Sequence, residues 1–321
     1  MPSRLIFAAL MPRDVVMRAR HEFDAVVADG KDDMTAAEVI EAATAHRAEA
    51  LLFTNTLPLT AEVIAQLPQS VRVGATSSVG YDHIHVAAAR ERGIMVTNTP
   101  GVLTECTADF AFMMLLAAAR RAYEYDKIMR AGWRYRIGQG DLLGVRVTGK
   151  TLGILGMGRI GRTVAQRARG FDMTVLYHSR NRLPEEMEQG ARYFSSFHEM
   201  LPHCDFLSLH APAGPATNKI INAAALAKLK RGAVLVNVSR GGLVDEDALI
   251  DALTSGRLFA AGLDVFRSEP DFDLRFAALD NVILSPHIGS GSIETRNAMG
   301  FRALDNIAGV LAGRGAIDPL W

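Results

Sequence analysis

The stretch Lys150-Thr151-Leu152-Gly153-Ile154-Leu155-Gly156-Met157-Gly158-Arg159-Ile160-Gly161-Arg162 decides the fold. An apolar run, Thr151–Leu155, leads into three glycines spaced G-x-G-x-x-G, and a segment with helical patterning follows. Each glycine has a reason in such a unit. Gly156 permits the tight turn, Gly158 lets backbone approach a pyrophosphate without a Cβ in the way, and Gly161 lets the helix pack close to the strand. The helix start then offers unpaired N–H groups to phosphate oxygens. The same pattern could merely close a βα turn. The strand before it and the helix after it favour a dinucleotide site.

The next strand candidate, Met173–Tyr177, bears on which dinucleotide binds. An NAD-type site places a carboxylate about 20 residues past the glycines, on the ribose 2′-hydroxyl. Here the strand ends in Tyr177-His178-Ser179-Arg180-Asn181-Arg182, with no carboxylate. Ser179 can hydrogen-bond, and the guanidinium groups of Arg180 and Arg182 suit a 2′-phosphate dianion. The expected cofactor is therefore NADP in preference to NAD, with NAD possible.

Working outward, β-rich runs alternate with helix-length segments, the pattern of parallel α/β architecture. Strand candidates before the glycine loop are Leu5–Ala9, Ala25–Ala28, Ala50–Phe53, Val71–Ala75 and Ile94–Thr97. A long helix is expected from Thr104 to about Ala131. After the loop come Phe206–Leu209, Val234–Asn237, Ala260–Leu263 and Val282–Leu284, then a terminal helix over 292–311. Two such arrays predict two Rossmann-like, doubly wound parallel-sheet domains. Lys228-Leu229-Lys230-Arg231 reads as a helix end, where cations suit the dipole.

Composition narrows the function. The 321 residues suffice for two domains. With 35 basic and 35 acidic residues the net charge is zero, which removes any electrostatic reason to expect nucleic acid or anionic membrane as partner. The two cysteines, Cys106 and Cys204, match no metal spacing and are expected to be reduced and buried. No metal is expected. The apolar run Phe110–Ala119 is too short to span a bilayer, and the N-terminus lacks the organisation of a signal peptide, so a cytoplasmic location is expected.

Three polar residues follow apolar runs and sit in Gly- or Pro-containing loops, where open α/β sheets place their ligands. They are Arg240 before Gly241-Gly242, Glu269 before Pro270, and His287 after Pro286. Reduction of a 2-keto acid needs this trio. Arginine binds the carboxylate and polarises the carbonyl, histidine gives a proton to the developing alkoxide, and the carboxylate orients the imidazole and favours its protonated form.

The chain resembles the D-isomer-specific 2-hydroxyacid dehydrogenases. The matching stretches are Ser78-Val79-Gly80-Tyr81-Asp82-His83-Ile84, Asn98-Thr99-Pro100-Gly101, the Gly156 loop, residues 236–245, Gly262-Leu263-Asp264-Val265-Phe266 with Glu269-Pro270, and Ser285-Pro286-His287-Ile288-Gly289-Ser290. The resemblance implies that Arg240, Glu269 and His287 are catalytic, with His287 the proton donor. It implies a cofactor domain over 99–286 inserted in a substrate domain formed by 1–98 and 287–321, with an active-site cleft between them, and a homodimer joined through the cofactor domain. It gives the Val79 and Gly80 N–H groups to the substrate carboxylate, Asp264 to the nicotinamide carboxamide, and Ala211, Pro212 and Thr217 to the adenosine side. By the same match Arg159 and Ile160 should face the pyrophosphate, and Val238, Ser239, Gly289 and Thr107 join the cofactor site, although Asp109 stands near Thr107 where the family usually has Glu. Trp133 resembles an aromatic found near the partner's active site in some of these reductases.

Glu269 argues against formate dehydrogenases, which carry Gln there. The Tyr177–Arg182 segment is similar to that of glyoxylate and hydroxypyruvate reductases using NADPH. The resemblance therefore implies reduction of glyoxylate to glycolate and of hydroxypyruvate to D-glycerate. The alternatives are another D-2-hydroxy acid, phosphite, or, in a different class, a nucleotide-sensing corepressor-like protein.

Overall fold

The computed structural model describes residues 2–28, 30 and 32–321, which divide into two compact units. The first comprises the chain up to Leu103 together with Ser290–Trp321, and the second is Thr104–Gly289.

The first unit alternates β1 (Arg4–Phe7), α1 (Arg13–Glu22), β2 (Asp24–Val27), α2 (Ala36–His46), β3 (Ala50–Phe53), α3 (Ala61–Gln66), β4 (Val73–Thr76), α4 (Val86–Glu91) and β5 (Met95–Thr97). The five strands form one parallel sheet in the order β2-β1-β3-β4-β5. β1, β3 and β4 read as continuous apolar runs because helices cover both of their faces. Thr35 and Glu38 start α2 with a capping box, which satisfies two of its orphan N–H groups.

The second unit continues with α5 (Thr104–Ala119), α6 (Ala122–Arg130), β6 (Thr151–Leu155), α7 (Arg159–Arg169), β7 (Thr174–His178), α8 (Glu185–Glu188), β8 (Arg192–Tyr193), α9 (Phe197–Met200), β9 (Phe206–Leu209), α10 (Ala223–Lys228), β10 (Ala233–Asn237), α11 (Glu246–Thr254), β11 (Leu258–Leu263) and β12 (Val282–Leu284). Its seven strands are parallel, in the order β12-β11-β10-β9-β6-β7-β8. The order reverses at β6, so the crevice beyond the C-terminal ends of β6 and β9 is the switch point where such sheets take ligands. The chain then returns to the first unit as α12 (Ile293–Leu311), which Ser292 caps and which packs on β4 through Ala303, Leu304 and Ile307.

Three readings from sequence need correction. The helix expected from Thr104 to Ala131 is two helices, because Arg121 adopts left-handed backbone (φ 55°). The N–H of Val145 takes the Ala119 carbonyl at 2.8 Å, an acceptor that a continuous helix would need for itself. β8 was missed because two residues are too few to show alternation; pairing with Leu176 and Tyr177 creates it. Of the cysteines, Cys204 is buried against Gly153, and burial pushes its thiol up to about 12, whereas Cys106 is only partly buried.

Candidate active site

The glycine loop has the close approaches that its sequence predicts. Gly156 has φ +95°, and a Cβ there would lie 2.6 Å from the Ala211 nitrogen. A Cβ on Gly161 would lie 2.2 Å from the Gly156 carbonyl oxygen, so α7 can sit this close only with glycine. Gly158 is different: nothing lies within 4 Å of its would-be Cβ. It is the N-cap of α7 and has no side-chain cap, so no cap residue satisfies the N–H groups of the first turn, at Arg159, Ile160 and Gly161. That open, Cβ-free helix N-terminus fits a pyrophosphate.

Around it, β-strand ends bring the other expected residues together. Ser179, after β7, accepts the Met157 N–H on its hydroxyl at 2.7 Å, which ties the end of β7 to the glycine loop. Ala211 follows β9, and its carbonyl accepts the Ser239 hydroxyl at 3.0 Å. Thr217 holds the 212–217 turn by donating to the Pro212 carbonyl at 2.8 Å. Val238 is buried in the core beside β10. Gly289 lies against Asp264 and Thr107, and its would-be Cβ is 3.1 Å from Asp264 Oδ2 and 3.6 Å from Thr107 Cγ2. Asp109 pairs with Arg167 at 2.8 Å, so it ties α5 to α7.

Arg180 and Arg182 do not behave alike. Arg182 donates Nε and Nη2 to the two carboxylate oxygens of Glu188, at 2.8 and 2.9 Å. This corrects the reading of two equivalent arginines, because the guanidinium of Arg182 already has an anion.

The proposed chemistry gathers at the ends of β10, β11 and β12. His287 Nδ1 lies 2.7 Å from Glu269 Oε2, and the other carboxylate oxygen accepts the Phe266 N–H at 2.9 Å. Nδ1 is thereby committed, and Nε2 is the nitrogen left for a substrate. Burial pushes the Glu269 carboxyl up, but the hydrogen bonds from His287 and Phe266 and the nearby charges of His287 and Arg240 outweigh it, and the net direction is below the ordinary carboxylate value. His287 itself holds φ +51°, uncommon for a residue with a Cβ. Asp264 supports that conformation. It is 1% exposed, accepts Ser285 Oγ and the Ile288 N–H on Oδ1 and the Gly289 N–H on Oδ2, and its own carbonyl takes the His287 N–H at 2.8 Å. The carboxylate expected to hold the carboxamide therefore also clamps the histidine loop from both sides.

Sequence reasoning missed Asn237. Buried at the end of β10, it accepts the Ser239 N–H at 3.1 Å and donates to the Arg240 carbonyl at 3.0 Å, setting the turn that presents Arg240. Gly241 fits that turn under the next loop: its would-be Cβ falls 1.9 Å from the Phe266 carbonyl carbon. The Arg240 and Glu269 loops are thus stacked backbone to backbone. The signal for Asn237 was a polar residue closing an apolar strand.

In the first unit, the Ser78–Gly80 loop has its carbonyls tied down. Asn98 Nδ2 donates to the Val79 carbonyl at 2.8 Å, Ser78 Oγ to the Gly80 carbonyl at 2.7 Å, and the Thr99 N–H to the Ser78 carbonyl at 2.9 Å. Among the described residues no acceptor takes the N–H of Val79 or Gly80. Asn98 was another residue the sequence reading left without a role.

A Rossmann module with an open glycine loop and a carboxylate-held histidine beside an arginine is the apparatus of a nicotinamide-dependent oxidoreductase. The chain belongs to the D-isomer specific 2-hydroxyacid dehydrogenase family, whose NAD binding domain profile matches residues 112–289. It is 46% identical over 274 residues to a glyoxylate reductase of Korarchaeum cryptofilum, covering 84% of this chain and 81% of the relative. A D-isomer specific 2-hydroxyacid dehydrogenase from Polaromonas sp. JS6 66 superposes with a TM-score of 0.94 at 41% identity over 100% of both chains. An NADPH-dependent glyoxylate/hydroxypyruvate reductase from Sinorhizobium meliloti, solved with NADP and malonate, superposes with a TM-score of 0.88 at 33% identity, covering 100% of this chain and 97% of that one. No described helix is long and apolar enough to cross a membrane.

Proposed function

We propose that this enzyme reduces small 2-keto acids, glyoxylate to glycolate and hydroxypyruvate to D-glycerate, using NADPH in preference to NADH. The observation that carries the reading is the 2.7 Å contact of His287 Nδ1 with Glu269, which engages Nδ1 and so supports Nε2 as the proton donor. The reduced nicotinamide, when bound, supplies a hydride to the keto carbon. The Arg240 guanidinium binds the substrate carboxylate and polarises the carbonyl. As C–H forms, the pair of electrons released from the C=O bond goes to oxygen, and the proton on His287 Nε2 completes the hydroxyl. Glu269 keeps the imidazole oriented. Thr107, Asp264 and Gly289 would hold the nicotinamide end, the first turn of α7 the pyrophosphate, and Ala211, Pro212, Thr217, Val238 and Ser239 would form the remaining wall.

The cofactor preference rests on Ser179 and Arg180 standing where an NAD site has a carboxylate. A homodimer through the second unit is supported by the face around α6, where Met129, Trp133 and Tyr135 are 58%, 57% and 58% exposed beside a hollow of about 460 Å³. A cytoplasmic location follows the family reading. The deciding experiment measures initial rates with glyoxylate and hydroxypyruvate, each against NADPH and NADH. Turnover of both acids with NADPH favoured is expected; failure of both acids overturns the substrate reading, and NADH preference overturns the cofactor reading alone.

A further inference from the structure

The loop after β7 is held by a buried network that the reaction itself does not use. Tyr177 is fully buried; its hydroxyl donates to Glu188 Oε1 at 2.6 Å and accepts the Leu183 N–H at 3.0 Å. Glu188, whose side chain is 8% exposed, takes Arg182 through two parallel bonds. Arg180 stands two residues earlier on the same loop and has no hydrogen bond or ion pair among the described residues.

We infer that Glu188 is a specificity-determining residue for the 2′-phosphate: it neutralises Arg182 and withholds it from the ligand, so that Arg180 is the cation the loop offers. The inference rests on the proposed NADPH preference and refines it. Arg182 is 61% exposed on its side chain, so burial does not hold it in place; Glu188 does. A carboxylate that has already shed most of its water loses heavily if its counter-ion swings away, so Arg182 cannot be lent cheaply to a phosphate. The Tyr177 hydroxyl fixes Leu183 on the far side of Arg182, which sets the course of the loop independently of the ligand.

The test is calorimetric titration of the full-length protein with 2′,5′-ADP and with 5′-AMP, which needs no turnover. Arg180→Ala should weaken 2′,5′-ADP by about ten-fold or more, as expected for a lost charge-assisted contact, with 5′-AMP nearly unchanged. Arg182→Met combined with Glu188→Met, which replaces the ion pair by apolar groups of similar length, should stay within about three-fold of the parent for 2′,5′-ADP. Glu188→Gln keeps an acceptor for Tyr177 but releases the charge of Arg182, and should tighten 2′,5′-ADP by about three-fold or more at low salt. A ten-fold loss in the double variant, or no gain in a folded Glu188→Gln protein, overturns the inference and makes Arg182 a direct ligand or a bystander. A parent that binds 2′,5′-ADP no more tightly than 5′-AMP overturns the cofactor reading, and this inference with it. Discrimination that survives in the parent but collapses in the double variant overturns this inference alone.

Discussion

His287 Nδ1 lies 2.7 Å from Glu269 Oε2, and the backbone N–H of Phe266 holds the other oxygen of that carboxylate at 2.9 Å. The acid is thus fixed at both ends, and the imidazole has one orientation. Glu269→Gln keeps the shape and removes the charge. Its kcat for reduction should fall by about ten-fold or more, because the amide replaces a charge-assisted bond to the imidazole with a weaker one. A parental kcat in the folded variant would deny the carboxylate a part in positioning His287.

His287→Ala should lower kcat by about 10²–10⁴-fold, the usual worth of a general acid, while the Kd for NADPH stays within a few-fold. The phosphate-binding turn of α7 and the clamp on Asp264 do not depend on the imidazole. Fluorescence titration beside steady-state rates separates the two effects, and near-parental turnover sinks the assignment.

Gly158 and Gly161 should respond differently to alanine. At Gly161 the added Cβ meets a backbone oxygen at 2.2 Å, so Gly161→Ala should cost about 1–3 kcal/mol of stability and weaken cofactor as well. At Gly158 the Cβ meets no protein atom and φ is −74°, so Gly158→Ala should fold with parental stability and still bind NADPH poorly. Thermal melts with and without NADPH read both; equal destabilisation of the two apo-proteins would contradict the geometry.

The Glu188 carboxyl is held down to about 2 by its bonds to Arg182 and then Tyr177, against an ordinary 4.5. Folded protein therefore binds fewer protons at this group than unfolded protein between those values. The stabilisation is complete above about pH 4.5 and drains away as pH falls toward 2. Glu188→Gln should be less stable than the parent at pH 7, and the gap in urea midpoint should close as pH drops below 4.5. A gap that is constant with pH would deny the ion pair its role.

Sedimentation should give the parent twice the monomer mass. Met129→Asp with Tyr135→Asp places two charges on the exposed α6 face and should yield monomers whose melting without partner contacts is lowered. Dimers that persist in this variant would move the interface elsewhere.

The amino-acid sequence by itself determined the alternation of strands and helices, the glycine turn, and the presence of Arg240, Glu269 and His287 at strand ends. Those signals are local: an apolar run, a residue without a Cβ, a polar residue just past a strand. It also carried the absence of an acid after β7, which is a statement about chain order. Only tertiary structure decided which charges are spent and which remain. Arg180 and Arg182 read alike until the buried Glu188, which follows in sequence on the short helix α8, folds back under Tyr177 and takes one of them. Asn98 and Asn237 carry no motif of their own, because their work is to hold the backbone of distant or turned residues, Val79 and Arg240. The helix break at Arg121 depends on Val145 reaching the Ala119 carbonyl from beyond a long loop, and no local propensity encodes that contact. Periodicity reports which face of an element will be buried; pairing between elements settles which polar groups are left for a ligand.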